Sequence, residues 1–418
     1  MNDPILARVS AQLDALAGSC HRIGIALSGG GDSVALLQLS ALWAKTAPMK
    51  PVLKSATVDH GLRADSRLEA QQAGLQSQQS GVAHSILHWQ RDDLGRGNLM
   101  AQARDARLRL LSDWARAEGL DAVLLGHTLD DQAETFLMRL ARGAGVDGLA
   151  GMAPAREAQG MIFLRPMLEI ARAELRDWLS ARAIGWIDDP SNENRDFERV
   201  RMRQALATLG LPLASFAQTL GNLGMARDAL RHIAAEIAAQ ALAENSVLFL
   251  PLTEFLAAPE EIRRRLLVAG LRWINGADYP ARRDKIAYAL TAIQAGRKFT
   301  LEGAVILPRG DRLVLMREVE AASRAACVMA DANGQAVWDG RWQVSGLASG
   351  QELRALGYGG LAGLDWRSSG MTRDVVAASP GLYQSERLIA APLLKSPTGV
   401  VIRPCRDLGQ FQRLLFSH

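Results

Sequence analysis

Apolar positions in the first half of the chain follow two different spacings. Short runs of consecutive apolar residues favour buried strands at four places: Ile23–Leu27, Val52–Val58, Ser85–His88 and Ala122–Gly126. Between these runs, apolar residues recur every three or four positions, which predicts helices at Val34–Ala44, Arg67–Ser77 and Met100–Glu118. Strands that alternate with helices are typical of a parallel sheet covered on both faces. We therefore predict a doubly wound α/β domain over residues 1–210.

The pattern changes after the segment GLPLAS at 210–215. Long stretches with helical periodicity follow at Asn222–Leu242 and Pro259–Ile274, and both are rich in Ala, Leu and Arg. Segment 300–319 has strand character with a Gly-Asp hairpin signal, and segment 336–344 carries an Asp-Gly signal. We predict a mainly helical domain over 211–325 and a small β-rich domain over 326–418.

Composition is that of a globular protein large enough for an enzyme site. Of the 418 residues, 48% are hydrophobic and 22% charged, so two or three domains are expected. No apolar run is long enough to span a bilayer, and the beginning MNDPILARVS does not resemble a signal peptide. We expect a cytoplasmic protein without a membrane partner. The scattered Cys20, Cys327 and Cys405 form no CxxC pair, which argues against disulfides and iron–sulfur clusters.

Arginine supplies nearly all of the positive charge. The formal net charge is +4, and six of the 48 basic residues are lysines. Arginine suits contacts with phosphates and stacking on bases. A GC-rich genome would produce the same bias, so charge alone does not establish nucleic-acid binding.

The sequence SGGGDS joins the first predicted strand to the first predicted helix. Glycines at such a turn expose consecutive backbone N–H groups, and the helix start adds unpaired donors, which together favour a phosphate. The predicted binding segment consists of Ser28, Gly29, Gly30, Gly31, Asp32 and Ser33. Ser28 and Ser33 can add hydroxyl donors. Asp32 stands where an ordinary phosphate loop has lysine, and a carboxylate beside phosphates suggests Mg²⁺. Taken alone, the segment is equally compatible with a glycine-rich turn that binds nothing.

The second predicted strand ends in VDHGLR, which places Asp59 and His60 at the same edge of the sheet. Ligands of such sheets lie beyond the carboxyl ends of the strands, so a nucleoside lying across this edge would meet both residues. In isolation this motif is more typical of a polar strand end followed by a turn.

The richest segment is LLGHTLDDQAETFLMRL, residues 124–140. His127 follows a strand, and Asp130, Asp131 and Glu134 share one face of the helix that begins there. Acidic residues in a first helical turn are commonly caps, which explains one carboxylate but not three with a histidine. Grouped carboxylates at this edge could hold Mg²⁺ or bind a cationic substrate and accept its proton.

Further basic residues follow the acidic cluster. Arg142 opens the glycine-rich segment RGAGVDGLAGM, which we predict to be a loop near the phosphates. Arg199, Arg201 and Arg203 form a dense patch. Such a run is usually a solvated helix face, but beside a nucleotide site it could clamp pyrophosphate or RNA.

These motifs resemble the PP-loop ATP pyrophosphatases, whose SGGxDS loop matches residues 28–33. Within that group the chain is similar to the tRNA(Ile)-lysidine synthetases over about residues 20–210. The matching segments occur in the family's order: VDHGLR, NLMAQARDAR, GHTLDDQAET, RGAGVDGLAGM, RPML and DPSN. Val200 departs from an Asn that is frequent in the family, and Leu108 departs from a Tyr.

The resemblance implies a ligase that uses ATP and Mg²⁺. Its substrates would be free L-lysine and the isoleucine tRNA with a CAU anticodon, and no obligatory protein partner is evident. ATP would adenylate the carbonyl oxygen at C2 of the wobble cytidine and release pyrophosphate, and the amine of lysine would then displace AMP to give lysidine. The implied catalytic residues are Asp32, His127, Asp131, Glu134, Arg199 and Arg203. Residues 28–33, together with Asp59 and His60, would bind ATP. Lysine would be bound by Asp130, Asp131 and Glu134. Asp32 would help to hold Mg²⁺.

Three other functions are consistent with parts of the sequence. A tRNA thiolase would also adenylate a base, but it needs cysteines near the site. A noncatalytic tRNA-binding protein would not need the intact Asp32, Asp131 and Glu134. A glutamine-dependent amidotransferase would need an ammonia-producing domain, and the C-terminal third has no such signature.

Overall fold

The computed structural model describes residues 3–61, 66–89, 99–187 and 198–416. Contacts divide the chain into two compact units, Met1–Met225 and Ala226–His418. The predicted division into three domains at residues 210 and 325 remains a prediction. None of the helices in the described ranges combines the length and the hydrophobicity needed to cross a membrane.

The first unit alternates helices and strands from its beginning. Its described residues form these elements in chain order: α1 (Pro4–Ala17), β1 (Arg22–Ala26), α2 (Gly31–Thr46), β2 (Val52–Asp59), α3 (Ser66–Gln79), β3 (Ala83–His88), α4 (Leu99–Ala117), β4 (Ala122–Leu124), α5 (Leu129–Ala141), α6 (Val146–Leu149), β5 (Ala155–Ala158), β6 (Met161–Leu164), α7 (Arg172–Ser180), α8 (Glu198–Leu209) and α9 (Leu213–Ala238). Helix α9 begins in this unit and ends in the second.

The strands of the first unit form one six-stranded sheet with the order β3-β2-β1-β4-β6-β5. All neighbouring pairs are parallel except β5 with β6, which is the antiparallel edge. Strand β1 has β2 on one side and β4 on the other, so the strand order reverses there. In sheets of this kind, the carboxyl ends of the strands at the reversal point border a ligand crevice. The doubly wound α/β fold is confirmed.

Both faces of this sheet are buried. On one face, α2 packs between α1 and α7, and Leu36 of α2 and Leu13 of α1 are fully buried. On the other face, α4 packs Trp114 so closely onto β1 that a Cβ atom at Gly24 would lie 2.8 Å from the indole ring. Continuous apolar runs are needed at strands with two buried faces, which explains why β1 was predictable.

The predicted elements of the first unit differ from the observed ones mainly at their ends. Helix α2 begins at Gly31, three positions before the predicted start, so Asp32 and Ser33 belong to its first turn. Strand β4 ends at Leu124 instead of Gly126. The predicted loop at 142–152 contains the short helix α6.

The second unit is built mainly from antiparallel strands. Its elements are β7 (Leu242–Glu244), β8 (Val247–Pro251), α10 (Leu252–Ala257), α11 (Glu260–Asn275), α12 (Arg283–Gln294), β9 (Phe299–Leu301), β10 (Ala304–Arg309), β11 (Arg312–Arg317), α13 (Val319–Ser323), β12 (Val328–Met329), β13 (Gln335–Trp338), β14 (Trp342–Ser345), β15 (Gln351–Ala355), α14 (Arg373–Ala377), β16 (Pro380–Gln384), β17 (Arg387–Ala390), β18 (Val401–Pro404) and α15 (Leu408–Leu414).

The first core of this unit lies between a five-stranded sheet and three helices. The sheet has the order β7-β8-β11-β10-β9, α11 and α12 pack against it, and α15 packs against α11. The pairing of Arg309 with Arg312 confirms the predicted two-residue turn at Gly310-Asp311. The helical character predicted for 211–325 therefore holds for α9, α11 and α12, and the strand character predicted for 300–319 holds for β10 and β11, whereas β7 and β8 were not predicted.

The second core lies between two small antiparallel sheets, β12-β15-β16-β17 and β13-β14-β18. The predicted Asp-Gly hairpin is present, with a three-residue turn between the paired Trp338 and Trp342. Helix α15 returns to the first core, where Phe411 is fully buried and the indole N–H of Trp273 donates to the Asp407 carbonyl at 2.9 Å. The last residues of the chain therefore complete the core formed by residues 234–315.

Candidate active site

The SGGGDS segment forms a tight loop at the carboxyl end of β1. Ser33 Oγ accepts hydrogen bonds from the Ser28 N–H at 3.1 Å and from Ser28 Oγ at 3.0 Å, and it donates to the Gly30 carbonyl at 2.9 Å. Gly29 has φ +85°, a conformation that favours glycine. The serine hydroxyls therefore hold the loop in shape. The N–H groups at the start of α2 are the donors best placed for an anion, because the first turn of a helix leaves its N–H groups without intrahelical partners.

Two neighbouring segments press closely on this loop. A Cβ atom at Gly126 would lie 3.2 Å from the Asp32 carbonyl oxygen, which is tighter than an ordinary contact, so glycine favours the close approach of the segment after β4 to α2. On the other side, the Ile187 N–H donates to the Gly29 carbonyl at 2.9 Å, and the Trp186 ring lies near Gly31. Sequence analysis did not single out Trp186 or Ile187, because nothing local connects them to the loop.

Helix α5 begins at the same edge of the sheet, with its first turn fixed by a capping box. Asp131 Oδ2 accepts hydrogen bonds from the Thr128 N–H at 2.9 Å and from Thr128 Oγ1 at 3.1 Å. The capping alternative is therefore correct for one oxygen of Asp131. The other oxygen, Oδ1, faces a guanidinium, and Glu134 one turn later has a side chain that is 1% exposed. Capping alone does not explain Glu134.

Arg172 occupies the centre of the acidic cluster, and sequence analysis missed it. Its Nε lies 2.9 Å from Asp32 Oδ2, its Nη2 lies 3.4 Å from Asp131 Oδ1, and its Nη1 lies 3.7 Å from Glu134 Oε1. The residue is the first of α7, where the helix dipole disfavours a positive charge. An arginine at a helix start was thus the signal that could have indicated acidic partners elsewhere.

Helix α8 packs against α5 and brings two of the predicted arginines to the cluster. Arg203 Nε lies 2.8 Å from Glu134 Oε1. Arg199, one turn earlier, is close enough to influence the pKa values of His127 and Asp131. Val200, which lies between these two arginines in the sequence, is buried, whereas Arg201 is exposed. The basic patch is therefore divided between the site and the solvent.

Burial and charge act differently on the titratable groups. Burial raises the pKa values of Asp32 and Glu134 above their usual range. Burial also acts to raise the pKa of Asp131, but Arg172, His127 and the Thr128 N–H outweigh it, so the net pKa is lowered. Burial lowers the pKa of His127 to about 3, which keeps the imidazole neutral near pH 7. The cluster therefore contains carboxylates with different affinities for a proton.

Three polar atoms of the cluster are buried without a hydrogen-bond partner among the described residues. They are Asp32 Oδ1, Glu134 Oε2 and His127 Nδ1. Buried polar atoms are normally paired, so unpaired ones at a common edge point to a ligand that completes them. Within the described ranges no group of three or more His, Cys, Asp and Glu forms a complete metal site. A divalent ion here would therefore need ligand atoms from a substrate as well.

The structure places Asp59 and His60 at the end of β2, the strand next to β1. Asp59 Oδ1 accepts from the Gly61 N–H at 2.9 Å, and this bond holds the pKa of Asp59 below its usual value. The His60 ring packs edge-on against Trp89 at 5.8 Å, and burial lowers its pKa. Leu62, Arg63, Asn98 and the DPSN segment at 189–192 lie outside the described residues.

Comparisons with known proteins show the family to which the chain belongs. The PP-loop domain family matches residues 5–209. A tRNA(Ile)-lysidine synthase from Ruegeria pomeroyi is 43% identical over 406 residues, covering 95% of this chain and 94% of the relative. The chain belongs to the tRNA(Ile)-lysidine synthase family.

Other members of the family are similar over most of their length. The synthase from Bradyrhizobium diazoefficiens is 37% identical and covers 75% of this chain and 94% of its own. The synthase from Brucella suis biovar 1 is 33% identical, and the match covers 96% of this chain and 92% of that synthase. Among solved structures, a U34-tRNA thiolase from Methanococcus maripaludis aligns at 19% identity with a TM-score of 0.45, over 52% of this chain and 76% of that one. That likeness is too low to support a functional argument.

The cysteines do not favour a thiolase. Cys20 precedes β1 and therefore lies at the edge of the sheet opposite to Ser28. Cys327 and Cys405 belong to the second unit. All three are free thiols, and burial raises the pKa of each, so none has the thiolate character of a reactive cysteine.

Proposed function

We propose that the chain joins lysine to C2 of the wobble cytidine in the CAU-anticodon isoleucine tRNA. The reaction consumes ATP, passes through an adenylated base, and releases AMP and pyrophosphate. One observation carries the proposal: Asp32 of the phosphate loop and the carboxylates of α5 meet around one guanidinium at the carboxyl edge of the sheet. This proximity supports the proposal that the phosphates of ATP and the ammonium group of lysine bind next to each other.

In the first step, the wobble base would attack the α-phosphate of ATP through its carbonyl oxygen at C2. The N–H groups at the start of α2 would donate hydrogen bonds to the leaving pyrophosphate, and the helix dipole would add to their effect. Asp59 and His60, at the end of the adjacent strand, would contact the nucleoside. The loop is rigid because Ser28 and Ser33 bond to each other, so its donors need no rearrangement as charge develops.

The residues present fit a magnesium ion. Asp32 Oδ1 is a buried carboxylate oxygen without a partner in the described part of the chain. Mg²⁺ is usually held by one or two carboxylates together with substrate phosphates, which agrees with the incomplete set of protein ligands here. Asp32 would hold the ion, whose charge would offset that of the phosphates.

In the second step, the ε-ammonium group of lysine needs a negative environment and a proton acceptor. Asp130, Asp131 and Glu134 provide the negative charge. Glu134 is the preferred base, because Oε2 is unpaired within the described ranges and burial raises its pKa toward the range that suits proton transfer. The ε-amine would attack C2 of the adenylated base, and AMP would leave with the former carbonyl oxygen.

The remaining site residues would act on the base and the phosphate. His127 is neutral, so its ring can form hydrogen bonds to the cytosine without adding charge. Arg203 and Arg199 would offset the negative charge of the adenylated intermediate, and Arg203 also holds Glu134 in place.

The second unit is proposed to position the tRNA. From residue 366 to 416 the chain has seven basic and three acidic residues. Among them, Arg367, Arg387 and Arg403 are exposed, and the Arg367 guanidinium lies 4.6 Å from the Trp366 ring. Exposed arginines beside aromatic rings favour phosphate contacts and base stacking. We propose that Arg367, Arg387 and Arg403 together form a basic surface of the second unit.

The proposed reaction is tested by the nucleoside that it forms. Isoleucine tRNA transcripts with the anticodon CAU are incubated with ATP, Mg²⁺ and lysine, digested to nucleosides and analysed by mass spectrometry. A cytidine that gains lysine with loss of water, at the wobble position alone, is the expected product. A sulfur-containing nucleoside, or an unmodified cytidine after full ATP consumption, would contradict the proposal.

A further inference from the structure

Arg172 is in contact with carboxylates from two segments that are far apart in the sequence. Its three guanidinium nitrogens face three different residues: Nε faces Asp32 at 2.9 Å, Nη2 faces Asp131 at 3.4 Å, and Nη1 faces Glu134 at 3.7 Å. Asp32 belongs to the phosphate loop, and the other two belong to the proposed lysine site. One side chain therefore touches the residues of both chemical steps.

The backbone of Arg172 is fixed to the start of α5. The Arg172 N–H donates to Asp130 Oδ2 at 2.7 Å, and the Leu129 N–H donates to the Ile170 carbonyl at 2.9 Å. The Arg172 side chain is 17% exposed. A buried side chain that begins at a tethered helix end has little freedom, so its planar guanidinium can define the distances between its partners.

The charge of Arg172 is maintained by the same contacts. Burial acts to lower the pKa of Arg172, but the carboxylates of Asp32 and Asp131 outweigh it and raise the pKa further. Without this cation, three carboxylates, of which those of Asp131 and Glu134 are buried, would face one another and would repel. They would then move apart or take up protons, and both changes would alter the site.

We propose that Arg172 is a positioning residue that holds Asp32 and the α5 carboxylates in one fixed arrangement. This inference rests on the proposed function. Its consequence is that the lysine amine is already aligned with C2 when the base becomes adenylated, since the phosphate side and the amine side share one anchor. The adenylated base then reacts with lysine before water reaches it.

Loss of this alignment has a defined chemical outcome. Water attacks C2 of the adenylated base in place of the amine, the bond between C2 and the AMP oxygen breaks, and AMP leaves. The new C2–oxygen bond regenerates cytidine, and one proton is released. Each such event converts one ATP to AMP and pyrophosphate without incorporating lysine. The amount of AMP formed then exceeds the amount of lysine incorporated.

The experiment measures both products in the same reaction with full-length protein, CAU-anticodon isoleucine tRNA, ATP, Mg²⁺ and labelled lysine. Wild type is compared with Arg172→Met and Arg172→Lys. The matched control is Arg8→Met. Arg8 lies outside the site and is ion-paired at 2.6 Å with Glu174, which belongs to α7, the helix that begins with Arg172. Thermal unfolding of each variant is recorded in parallel. A reduced folded fraction lowers AMP and lysine products equally and leaves their ratio unchanged.

For wild type and Arg8→Met we expect about one AMP per lysine incorporated, because a site that excludes water prevents hydrolysis of the intermediate. For Arg172→Met, lysine incorporation should fall about 100-fold, which is the usual cost of misplacing a reacting group by about 1 Å. The ratio of AMP formed to lysine incorporated should rise well above one. Arg172→Lys keeps the charge but not the three-way contact, so its ratio should lie between those of wild type and Arg172→Met.

Two results would overturn the inference. A ratio near one in Arg172→Met, with active wild type, would show that the arginine does not align the two steps. Complete rescue by Arg172→Lys would show that charge alone is sufficient. Failure of wild type to incorporate lysine would instead reject the proposed function, so the two hypotheses fail in distinguishable ways.

Discussion

Arg203 Nε lies 2.8 Å from Oε1 of Glu134, a carboxylate that is almost completely buried. This ion pair joins α8 to the beginning of α5 and lowers the cost of keeping Glu134 ionised. Burial nevertheless raises the pKa of Glu134 overall. Burial and the neighbouring arginines therefore act in opposite directions on the pKa of the proposed base.

Removal of Arg203 should shift the pH dependence of lysine incorporation. In Arg203→Met the carboxylate of Glu134 loses a favourable cation, so its pKa rises and a higher pH is needed to deprotonate it. We expect the acidic limb of the rate profile to move to higher pH, with a loss of about tenfold at pH 7, as for one hydrogen bond to a charged group. Arg201→Met, on the exposed side of the same helix, is the control. An acidic limb at the wild-type position would contradict the role of Glu134 as the base.

Glu134 and Asp131 should affect stability with opposite signs. The folded pKa of Glu134 lies above its unfolded value, so its ionised form destabilises the fold at pH 8. The folded pKa of Asp131 is lowered, so its ionised form is stabilising there. Glu134→Gln should therefore raise the thermal midpoint at pH 8 by roughly 2 °C, and Asp131→Asn should lower it by a similar amount.

Both differences should disappear on acidification, but over different pH ranges. The Glu134 difference is lost once the pH falls below about 4, the ordinary range of unfolded carboxyl groups, because Glu134 is then protonated in both states. The Asp131 difference is lost only at lower pH, as the pH falls through the lowered folded pKa of Asp131. Calorimetry of the two variants and wild type from pH 8 to below pH 4 makes this comparison. Shifts of the same sign for both variants would show that the directions of the two pKa changes are wrong.

Asp131→Asn should separate the two chemical steps. Adenylation depends on the loop and Asp32, whereas Asp131 belongs to the proposed lysine site, so the variant should retain tRNA-dependent formation of pyrophosphate. Lysine incorporation should fall about 100-fold, the usual scale for loss of a charged group at a proton-transfer site. The two rates are measured by pyrophosphate release and labelled lysine. An unchanged dependence on lysine concentration would refute the assignment.

The basic surface of the second unit should affect tRNA and not ATP. Replacement of Arg367, Arg387 and Arg403 by Gln removes three charges from exposed positions. If each contacts a phosphate, the salt dependence of tRNA binding should become shallower by about three in the log–log slope. Filter binding over a range of salt concentrations measures this slope. Arg116→Gln, an exposed arginine of the first unit, is the control, and ATP affinity should remain at the wild-type value in both proteins.

Point substitutions are preferable to truncation for this question. Deletion of 326–418 would also remove α15, whose Phe411 is fully buried in the core formed by residues 234–315. A loss of tRNA binding after that deletion would therefore reflect damage to both cores of the second unit.

Local sequence was sufficient to predict the β1–loop–α2 part of the site. A continuous apolar run, three glycines and a helical repeat occur within about twenty residues there, so the features that determine the structure are adjacent. The position of the α5 carboxylates followed for the same reason, because strand β4, His127 and the helix start are consecutive.

Arg172, Trp186 and α15 could not be predicted in this way. The partner of Arg172 in the loop is 140 residues away, and the contact between Trp273 and Asp407 spans 134 residues. Strand β7 was not predicted because it has three residues, too few to show an alternating pattern. Such features depend on tertiary packing rather than on local periodicity.

The most direct test is the ATP-dependent incorporation of labelled lysine into CAU-anticodon isoleucine tRNA by wild type and Asp32→Ala. Asp32 is the loop carboxylate proposed to hold Mg²⁺, and it pairs with Arg172 at 2.9 Å. Our account predicts labelled tRNA with wild type, no label without ATP, and loss of label in the variant. ATP cleavage to AMP and pyrophosphate by wild type with no lysine in the tRNA would contradict it.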